Sequence, residues 1–362
     1  MKKLFISIMV VAAANMAQAQ SNSLSFSQSG NDNSAPVIQQ GSGNSLSFSQ
    51  TGNGNSSIYD PVTQKGNQNT GSIAVAGDNN QSYFFQEGNT NHGAISTTGD
   101  RNVAFAYSGG NNNEAFVTQV GNDNEGGAAM YGSNNQATVM QNGNSNFGGA
   151  DSEYGDNNKL TVTQVGNANY AWASAGLAAN SNNQISVTQA GDNNDGSAQA
   201  IAGSNNIISI DQTGNSNKAT ATTLGYGGDN NQASIVQFGN ENKASLDQFR
   251  TNNQADIHQK GDVNVAKLRQ NETQNTATII QEGDGNIFAG QESLYNYDGS
   301  GVQFGTSNAL TLTQIGDGNT VQFGQGGEGN AVSLTQTGDG NMLQFSQTGD
   351  NNTATITQGP LQ

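Results

Sequence analysis

Apolar and polar residues alternate in short segments along the chain after its first twenty residues. In one such segment, Leu160, Val162 and Gln164 share one face, and the intervening threonines share the other. The same inward pattern recurs in residues 113–119 and 135–141. The β-branched residues in these segments favour strands over helices. The pattern therefore predicts short β-strands that each bury one face.

A unit Gln-x-Gly-x-x-Asn repeats through the chain with a period near eleven residues. Its Asn occupies 28 positions between residues 33 and 352, and 21 of the 27 intervals between them are eleven residues long. Gly lies three residues before this Asn in 25 of the 28 units, the exceptions being Asn180, Arg250 and Glu272. So regular a period predicts a repeat architecture and argues against low-complexity disorder.

The longer intervals show that the true repeat contains about 22 residues in two unequal halves. They always end at even-numbered units, at Asn69, Asn158, Asn183, Asn206, Asn231 and Asn308. Only the second half-repeat therefore accepts insertions, and we predict that the inserted residues emerge from one side. The longest insertion contains Tyr295, Tyr297 and Asp298, and we expect it to be the most exposed and protease-sensitive.

These features predict an all-β fold, a β-solenoid of stacked two-strand loops (strand-turn-strand) with cross-β amyloid stacking. Stacking at about 4.8 Å places Gln over Gln and Asn over Asn. Each side-chain amide then bonds to its copies above and below, so a polar interior is tolerated. Gly supplies the positive φ of the turn, and Asn180 is a natural substitute. Arg250 and Glu272 predict a locally different turn.

The residues expected to build these features fall into three sets. The predicted Gln ladder contains Gln28, Gln50, Gln119, Gln141, Gln164, Gln189, Gln212, Gln237, Gln259, Gln281, Gln314, Gln336 and Gln358. The predicted Asn ladder contains Asn113, Asn124, Asn135, Asn146, Asn158, Asn169, Asn242, Asn253 and Asn264. The predicted turn glycines are Gly121, Gly143, Gly166, Gly191, Gly214, Gly239, Gly261 and Gly283.

Composition and charge exclude several classes of protein. Leu, Ile, Val and Phe supply 64 of the 362 residues, too few for the single large core of a conventional enzyme. The formal net charge of −17 argues against nucleic acid as a ligand. No nucleophile–base pair, phosphate-binding loop or dinucleotide motif is present, and His92 and His258 are isolated. We therefore expect no catalysis, no cofactor, no metal and no small-molecule substrate.

The N-terminal segment predicts export. Lys2 and Lys3 precede an apolar run over residues 4–14, and Ala17 and Ala19 form a small-x-small cleavage site. The expected organisation is a secretory signal peptide over 1–19, a short mature N-terminus over 20–22, a repeat solenoid of about 14–15 repeats over 23–358, and a tail over 359–362. The chain has no Cys, so no disulfide stabilises this secreted protein.

The repeat resembles the curlin repeat, Ser-x5-Gln-x-Gly-x-x-Asn-x-Ala-x3-Gln, of the major subunit of bacterial curli fibres. Residues 231–248, with Gln237, Gly239 and Asn242, follow that pattern apart from the opening Ser. The resemblance implies a functional amyloid of the biofilm matrix, serving adhesion and aggregation. It also implies an outer-membrane secretion channel and a nucleator subunit as partners. The chain departs from the pattern in its many repeats and in second halves that lack Gln, as at Met130 and Ile201.

The first strand pattern, over residues 23–28, and the last, over residues 353–358, both carry the repeat. Each can pair with another copy, so head-to-tail growth into an extracellular, cell-surface fibre is expected.

Other roles for a secreted solenoid remain open at this stage. A monomeric adhesin stalk would need a binding domain or caps, and neither is visible. An ice-binding surface would need regular Thr-x-Thr arrays, which Thr161 and Thr163 begin, but Asp256 and His258 occupy equivalent positions. A calcium-binding nonapeptide solenoid has a period of nine residues, whereas the period here is eleven.

Overall fold

A computed structural model describes residues 21–57, 61–176, 181–224, 228–290, 299 and 301–359. The predicted signal peptide, its cleavage site, Asn180 and residues 360–362 lie outside the described residues. Over the described ranges the secondary structure is entirely β, and no helix is long and apolar enough to cross a membrane. The chain divides into two compact units, residues 1–169 and 170–362.

In the first unit, successive strands alternate between two parallel sheets. The regular sheet takes its strands from the half-repeats without insertions, namely β1 (Ser23–Ser29), β3 (Ser45–Thr51), β6 (Thr70–Ala76), β8 (His92–Thr98), β10 (Glu114–Val120), β12 (Gln136–Asn142) and β14 (Lys159–Val165). The insertion sheet contains β2 (Val37–Gln40), β4 (Ser56–Ser57), β5 (Val62–Lys65), β7 (Gln81–Glu87), β9 (Val103–Asn111), β11 (Glu125–Ser133) and β13 (Phe147–Ser152).

The second unit repeats this architecture. Its regular sheet contains β16 (Gln184–Ala190), β18 (Ile207–Thr213), β20 (Gln232–Phe238), β22 (Gln254–Lys260), β24 (Thr276–Glu282), β27 (Ala309–Ile315), β29 (Ala331–Thr337) and β31 (Thr353–Gln358). Its insertion sheet contains β15 (Tyr170–Ala175), β17 (Asp195–Ala200), β19 (Lys218–Leu224), β21 (Lys243–Phe249), β23 (Val265–Asn271), β25 (Ile287–Gly290), β26 (Gly301–Phe304), β28 (Thr320–Gly326) and β30 (Met342–Thr348). One half-repeat from each sheet makes one coil, and where a half-repeat is divided, as into β4 and β5 or into β25 and β26, both strands lie in the insertion sheet. The predicted β-solenoid of two-strand loops is confirmed.

Within each sheet, equivalent residues of successive repeats are aligned. Between β10 and β12, Val117 pairs with Val139 and Gln119 pairs with Gln141. Because side chains alternate across a strand, this parallel register places equivalent positions in columns along each unit. In β14, Leu160 and Val162 are fully buried and Thr161 and Thr163 are half-buried, so the predicted inward and outward faces are confirmed.

A large aromatic side chain fills the space between the two sheets where two neighbouring strands of the regular sheet have glycine. Phe84 of β7 is buried, and its ring meets the positions where a Cβ of Gly71 or Gly93 would lie. Within the insertion sheet of the second unit, the Phe288 ring of β25 likewise occupies the space left by the missing side chain of Gly301 in β26. The Phe84 contact shows how a large side chain on one sheet is matched by glycine on the other, so that the interior stays filled.

The six long half-repeats all contribute their strands to the insertion sheets, through β4 and β5, β13, β15, β17, β19, and β25 and β26. The prediction that only one half of the repeat accepts insertions is therefore confirmed. Tyr295, Tyr297 and Asp298 lie outside the described residues, so their predicted exposure stays a prediction.

One position assigned from the sequence is wrong because of an insertion. Counting five residues back from Asn206 placed Ile201 at the Gln position of its half-repeat. In the structure Ala200 aligns with Thr223, which in turn aligns with Gln248, so Ala200 occupies that column. Ala200 is buried and Ile201 is half-exposed. The extra residue lies after the strand, and so it shifts the count by one.

Candidate functional site: side-chain ladders and turns

The predicted Gln residues form a buried column along the regular sheet of each unit. In the second unit, Gln237 Nε2 donates to Gln259 Oε1 at 2.8 Å, and Gln259 Nε2 donates to Gln281 Oε1 at 2.8 Å. The other hydrogen atom on Nε2 forms a hydrogen bond across the core. In Gln259, for example, Nε2 donates to the Lys243 carbonyl oxygen at 3.2 Å. Each amide is thereby satisfied, which removes the usual penalty for burying it.

In the first unit this ladder is interrupted. Gln28 donates to Gln50 at 2.8 Å, but Val75 and Thr97 occupy the next two positions of the column. Gln50 Nε2 is consequently buried without a hydrogen-bond partner in the described structure. The ladder resumes from Gln119 to Gln141 at 2.9 Å.

A second Gln ladder follows each insertion sheet and was absent from the predicted residues. It contains Gln39, Gln64 and Gln86 in the first unit, and Gln248, Gln270, Gln303, Gln325 and Gln347 in the second, with amide bonds of 2.8–3.1 Å. The signal was present in the sequence, because Gln precedes many of the even-numbered Asn residues at the same distance. In between, the column is filled by Ser108, Met130 and Ser152 in the first unit and by Ala175, Ala200 and Thr223 in the second.

The predicted Asn residues are all buried, and amide-to-amide bonds of the expected ladder, at 3.1 Å, join five of them to the Asn of the preceding coil. Further hydrogen bonds link the Asn side chains to the backbone. The Asn124 backbone N–H donates to Asn102 Oδ1 at 2.9 Å, and Asn124 Nδ2 donates to the Gly143 carbonyl at 2.8 Å. Asn124 Nδ2 also lies 3.1 Å from Asn102 Oδ1. The Asn side chain therefore fixes the turn backbone of the next coil, and copy-to-copy amide contact is only part of its role.

The turn glycines explain why this position excludes other residues. Gly121, Gly143, Gly166, Gly191, Gly214, Gly239, Gly261 and Gly283 all have φ between 108° and 134°, so their predicted conformation is confirmed. A Cβ at Gly121 would overlap the carbonyl oxygen of Gly143 in the next coil. Both the dihedral angle and the close approach of the coils therefore require glycine.

The turn at Arg250 and Glu272 differs locally, as expected, but the difference is confined to a smaller φ. Arg250 has φ 70° and Glu272 has φ 73°, inside the left-handed region that L-residues tolerate. Their carbonyls still accept the Asn bonds, from Asn231 at 2.7 Å and from Asn253 at 2.8 Å. The two side chains lie on successive coils with Arg250 Nε 3.7 Å from Glu272 Oε2. The same turn is kept with a smaller φ.

Acidic turn residues also bond to backbone. Asp262 N–H donates to Asp284 Oδ1 at 2.8 Å, and the same bond joins Asp284 to Asp317 and Asp317 to Asp339 at 2.9 Å. These carboxylates are exposed and hold successive turns together.

The chain carries a repeat that is already known from other proteins. The curlin associated repeat matches residues 20–52, 30–58, 110–143, 132–166, 155–191 and 227–249. Every matched stretch includes a Gln-x-Gly-x-x-Asn unit whose Gln, Gly and Asn lie in the ladders and turns described above. The chain is a curlin-repeat protein. No curated protein matches it.

The curlin-repeat turn contains a second left-handed residue that the sequence pattern did not predict. The residue directly before the anchoring Asn has φ near 58°, for example in Asn79 and Asn134. Asn tolerates this region, whereas a β-branched side chain is strained there. Val263 occupies it with φ 59° and is 49% exposed.

We therefore expect Val263→Asn to stabilise the second unit by about 1 kcal/mol, because it relieves this strain and removes an exposed apolar side chain. Equilibrium unfolding in denaturant measures the change. Val265→Asn, two residues away in a strand, is the matched control and should not stabilise. Equal midpoints for wild type and Val263→Asn would contradict the strain argument.

One carboxylate on the outer face of β13 gives the first unit a pH dependence. Burial, together with the charge of Glu153, raises the pKa of Asp151 to about 6, and Asp151 Oδ1 has no hydrogen-bond partner in the described structure. A carboxyl pKa above its unfolded value means that the folded state binds the proton more tightly. Stability of this unit should therefore increase as pH falls from about 7 towards 4.

Asp151→Asn should stabilise the first unit at pH 7 by about 1 kcal/mol, after allowance for solvent screening, and should flatten this dependence. Unfolding midpoints measured between pH 7 and 4 test the prediction. The control is Asp123→Asn, because the Arg101 side chain lowers the pKa of Asp123 and the expected pH dependence has the opposite sign. The prediction would be refuted if the unfolding midpoint of the wild-type protein fell on acidification and the Asp151→Asn variant showed the same pH dependence.

Proposed function

We propose that the mature protein is a secreted structural subunit that polymerises head to tail into extracellular amyloid fibres of the curli type. The observation that carries this proposal is the exposure of ladder residues in the outermost strands, β1, β30 and β31. The role is structural and involves no catalysis. It agrees with the curlin repeats and with a fold in which each coil is a template for the next.

The outermost N-terminal coil exposes groups that are buried one coil further in. Leu24 of β1 is 38% exposed, whereas its aligned partner Leu46 of β3 is 2% exposed. Gln28 donates its amide hydrogen to Gln50, and its own Oε1 faces away from the stack. β1 therefore presents an apolar strip and a hydrogen-bond acceptor at its free edge.

The outermost C-terminal coil is complementary. Gln358 Oε1 accepts from Gln336 at 2.8 Å, which leaves one Nε2 hydrogen for a following coil while the other bonds to the Met342 carbonyl. Phe345 of β30 is half-buried, although its aligned partner Phe323 is 1% exposed. A new copy can bury these residues against its own β1 and β2.

The polarity of the ladder determines how copies join. Within the ladders each amide bond runs from one Gln to the Gln of the next coil, so Gln358 of one copy would donate to Gln28 of the following copy, and Gln347 to Gln39 in the same sense. Such a contact is heterologous and does not close into a ring, so it produces an open fibre. Unprotected strand edges favour this growth.

Further parts of the proposal come from the curlin-repeat family. The chain is exported before it folds, through an outer-membrane channel, and a related subunit nucleates its assembly. The fibres then serve adhesion and aggregation in the biofilm matrix. The predicted signal peptide, residues 1–19, supplies the route to the export machinery.

Electron microscopy and seeded growth of residues 20–362, diluted from denaturant, test the proposal. We expect fibres with a strand repeat of about 4.8 Å, and growth accelerated by preformed fragments. Leu24→Lys with Phe26→Lys charges the free edge of β1 and should leave a soluble, strand-rich protein. Ser25→Lys with Ser27→Lys places the same charges on the outward face of the same strand and should leave fibres intact. Fibres of equal yield from both variants would refute end stacking.

A further inference from the structure

A stack of aromatic rings lies on the outer face of the insertion sheet in the first unit. Phe85 of β7 stacks on Tyr107 of β9, with ring centroids 5.3 Å apart. Tyr107 is followed by Tyr131 of β11 at 4.7 Å and then by Tyr154 at 6.2 Å. The row thus continues into three consecutive tyrosines, whose phenol groups are the oxidisable groups of the stack.

A glycine brings the two closest phenols together. Strand register aligns Tyr131 with Gly109, and aligns Tyr107 with Ala129. The Tyr107 ring nevertheless reaches Tyr131 because it lies along its own strand over Gly109. A Cβ at Gly109 would be 3.0 Å from both Cε1 and the hydroxyl oxygen of Tyr107. The absence of a side chain at Gly109 therefore gives Tyr107 its position beside Tyr131.

We propose that Tyr107 and Tyr131 form an oxidative cross-linking site that yields dityrosine, driven by hydrogen peroxide and a one-electron oxidant of the peroxidase class. Each phenol loses one electron and one proton to become a phenoxyl radical. A carbon–carbon bond then forms between one Cε of each ring. Each of these carbons loses its proton as the ring becomes aromatic again, and each phenol oxygen takes up a proton to restore the hydroxyl group. The net change is the loss of two hydrogen atoms from the protein, and one peroxide is reduced to two waters.

The geometry favours this pair over a bimolecular reaction. Holding two reactants in contact gives effective concentrations far above any attainable in solution. Tyr131 is 38% exposed and Tyr154 is 72% exposed, so an external oxidant has access to the row. Burial raises the pKa of Tyr107 to about 12, with contributions from Tyr131 and Glu87, so this phenol is neutral at physiological pH and loses its electron together with its proton.

The cross-link would join two successive coils by a bond that cannot be reduced. The chain has no Cys, so disulfides cannot serve this purpose in an oxidising compartment. A covalent link across residues 107–131 restricts the unfolded chain and should raise the unfolding midpoint of the first unit. The inference does not depend on fibre formation, since both tyrosines belong to one copy.

The test is oxidation of dilute, monomeric residues 20–362 with hydrogen peroxide and a haem peroxidase. Peptide mapping by mass spectrometry should find a cross-linked product that contains Tyr107 and Tyr131 and lacks two hydrogen atoms, at the mass of a single chain. Tyr107→Phe and Tyr131→Phe should each abolish it. Gly109→Ala keeps both tyrosines but displaces the Tyr107 ring, and should lower the yield about tenfold or more. Tyr154→Phe is the matched control and should retain the product.

Three results would overturn the proposal. One is an unchanged yield in Gly109→Ala, with circular dichroism showing that the variant is folded. Another is a product that mainly joins Tyr154 to another tyrosine or to another molecule, which is expected if solvent exposure alone determines which tyrosines react. The third is oxidation of tyrosines without any link between Tyr107 and Tyr131.

Discussion

Gly283→Ala is expected to destabilise the second unit by about 3 kcal/mol or more. Gly283 has φ 108°, outside the regions open to alanine, and an added Cβ would overlap the Gly316 carbonyl oxygen of the next coil. Because the coils cannot separate without breaking the strand ladder on both sides, the strain has no local relief. The loss is measured as the shift in free energy of unfolding in denaturant.

The same turn provides a matched control two residues away. Gly285 has φ 66°, and nothing lies within 4 Å of the position of an added Cβ. Asn occupies the equivalent position in many repeats, so Gly285→Asn should change stability by no more than about 0.5 kcal/mol. If Gly283→Ala is no more destabilising than Gly285→Asn, close stacking of the turns is not what requires glycine.

Gln259→Leu is expected to cost about 3 kcal/mol, although it replaces a polar side chain in the interior by an apolar one of similar size. It removes the ladder partner of Gln281 Oε1 and one hydrogen bond each from the Lys243 carbonyl and from Gln237 Nε2, which keeps its bond to the Lys218 carbonyl. Each unsatisfied buried group costs about 1–3 kcal/mol, partly offset by burial of the leucine.

Gln232→Leu is the control for this substitution, because Gln232 lies exposed on the neighbouring strand β20. It should be neutral within about 0.5 kcal/mol in the same denaturation experiment. A neutral or stabilising Gln259→Leu would mean that the Gln ladder contributes specificity of register and not stability.

The period of the sequence was sufficient to predict most of the architecture. Because like residues must align in a parallel stack, the Gln and Asn positions and the two-part repeat followed directly from spacing. The placement of insertions in one sheet followed from the parity of the long intervals. The conformation of the turn glycines followed from the same pattern, since glycine is the residue that takes φ near 115° without strain.

Other features depend on contacts that spacing does not reveal. The pairing of Phe84 with Gly71 and Gly93 joins residues on different sheets, and no local pattern relates them. The wrong placement of Ile201 arose because counting from the Asn cannot locate an insertion within its half-repeat. The bond from Asn124 to the Gly143 carbonyl required the three-dimensional path of the turn. The Tyr107–Tyr131 contact likewise depends on a ring that lies over Gly109.

Head-to-tail continuation of the regular sheet is tested most directly by a disulfide between copies. Ser25 of β1 and Thr355 of β31 occupy the same outward position of the repeat, because each lies three residues before the ladder Gln of its strand, Gln28 or Gln358. Continued stacking would place them about 4.8 Å apart in neighbouring copies, within the Cα separation that a disulfide spans. The native chain has no Cys that could interfere.

We expect mild oxidation of Ser25→Cys/Thr355→Cys fibres to give a ladder of covalent oligomers on a denaturing gel, and unpolymerised protein to give none. Ser25→Cys/Ser346→Cys places the second thiol on β30 of the other sheet and should give no ladder. Fibres of the first variant that dissolve to monomers after oxidation, or equal ladders from both variants, would contradict head-to-tail stacking in register.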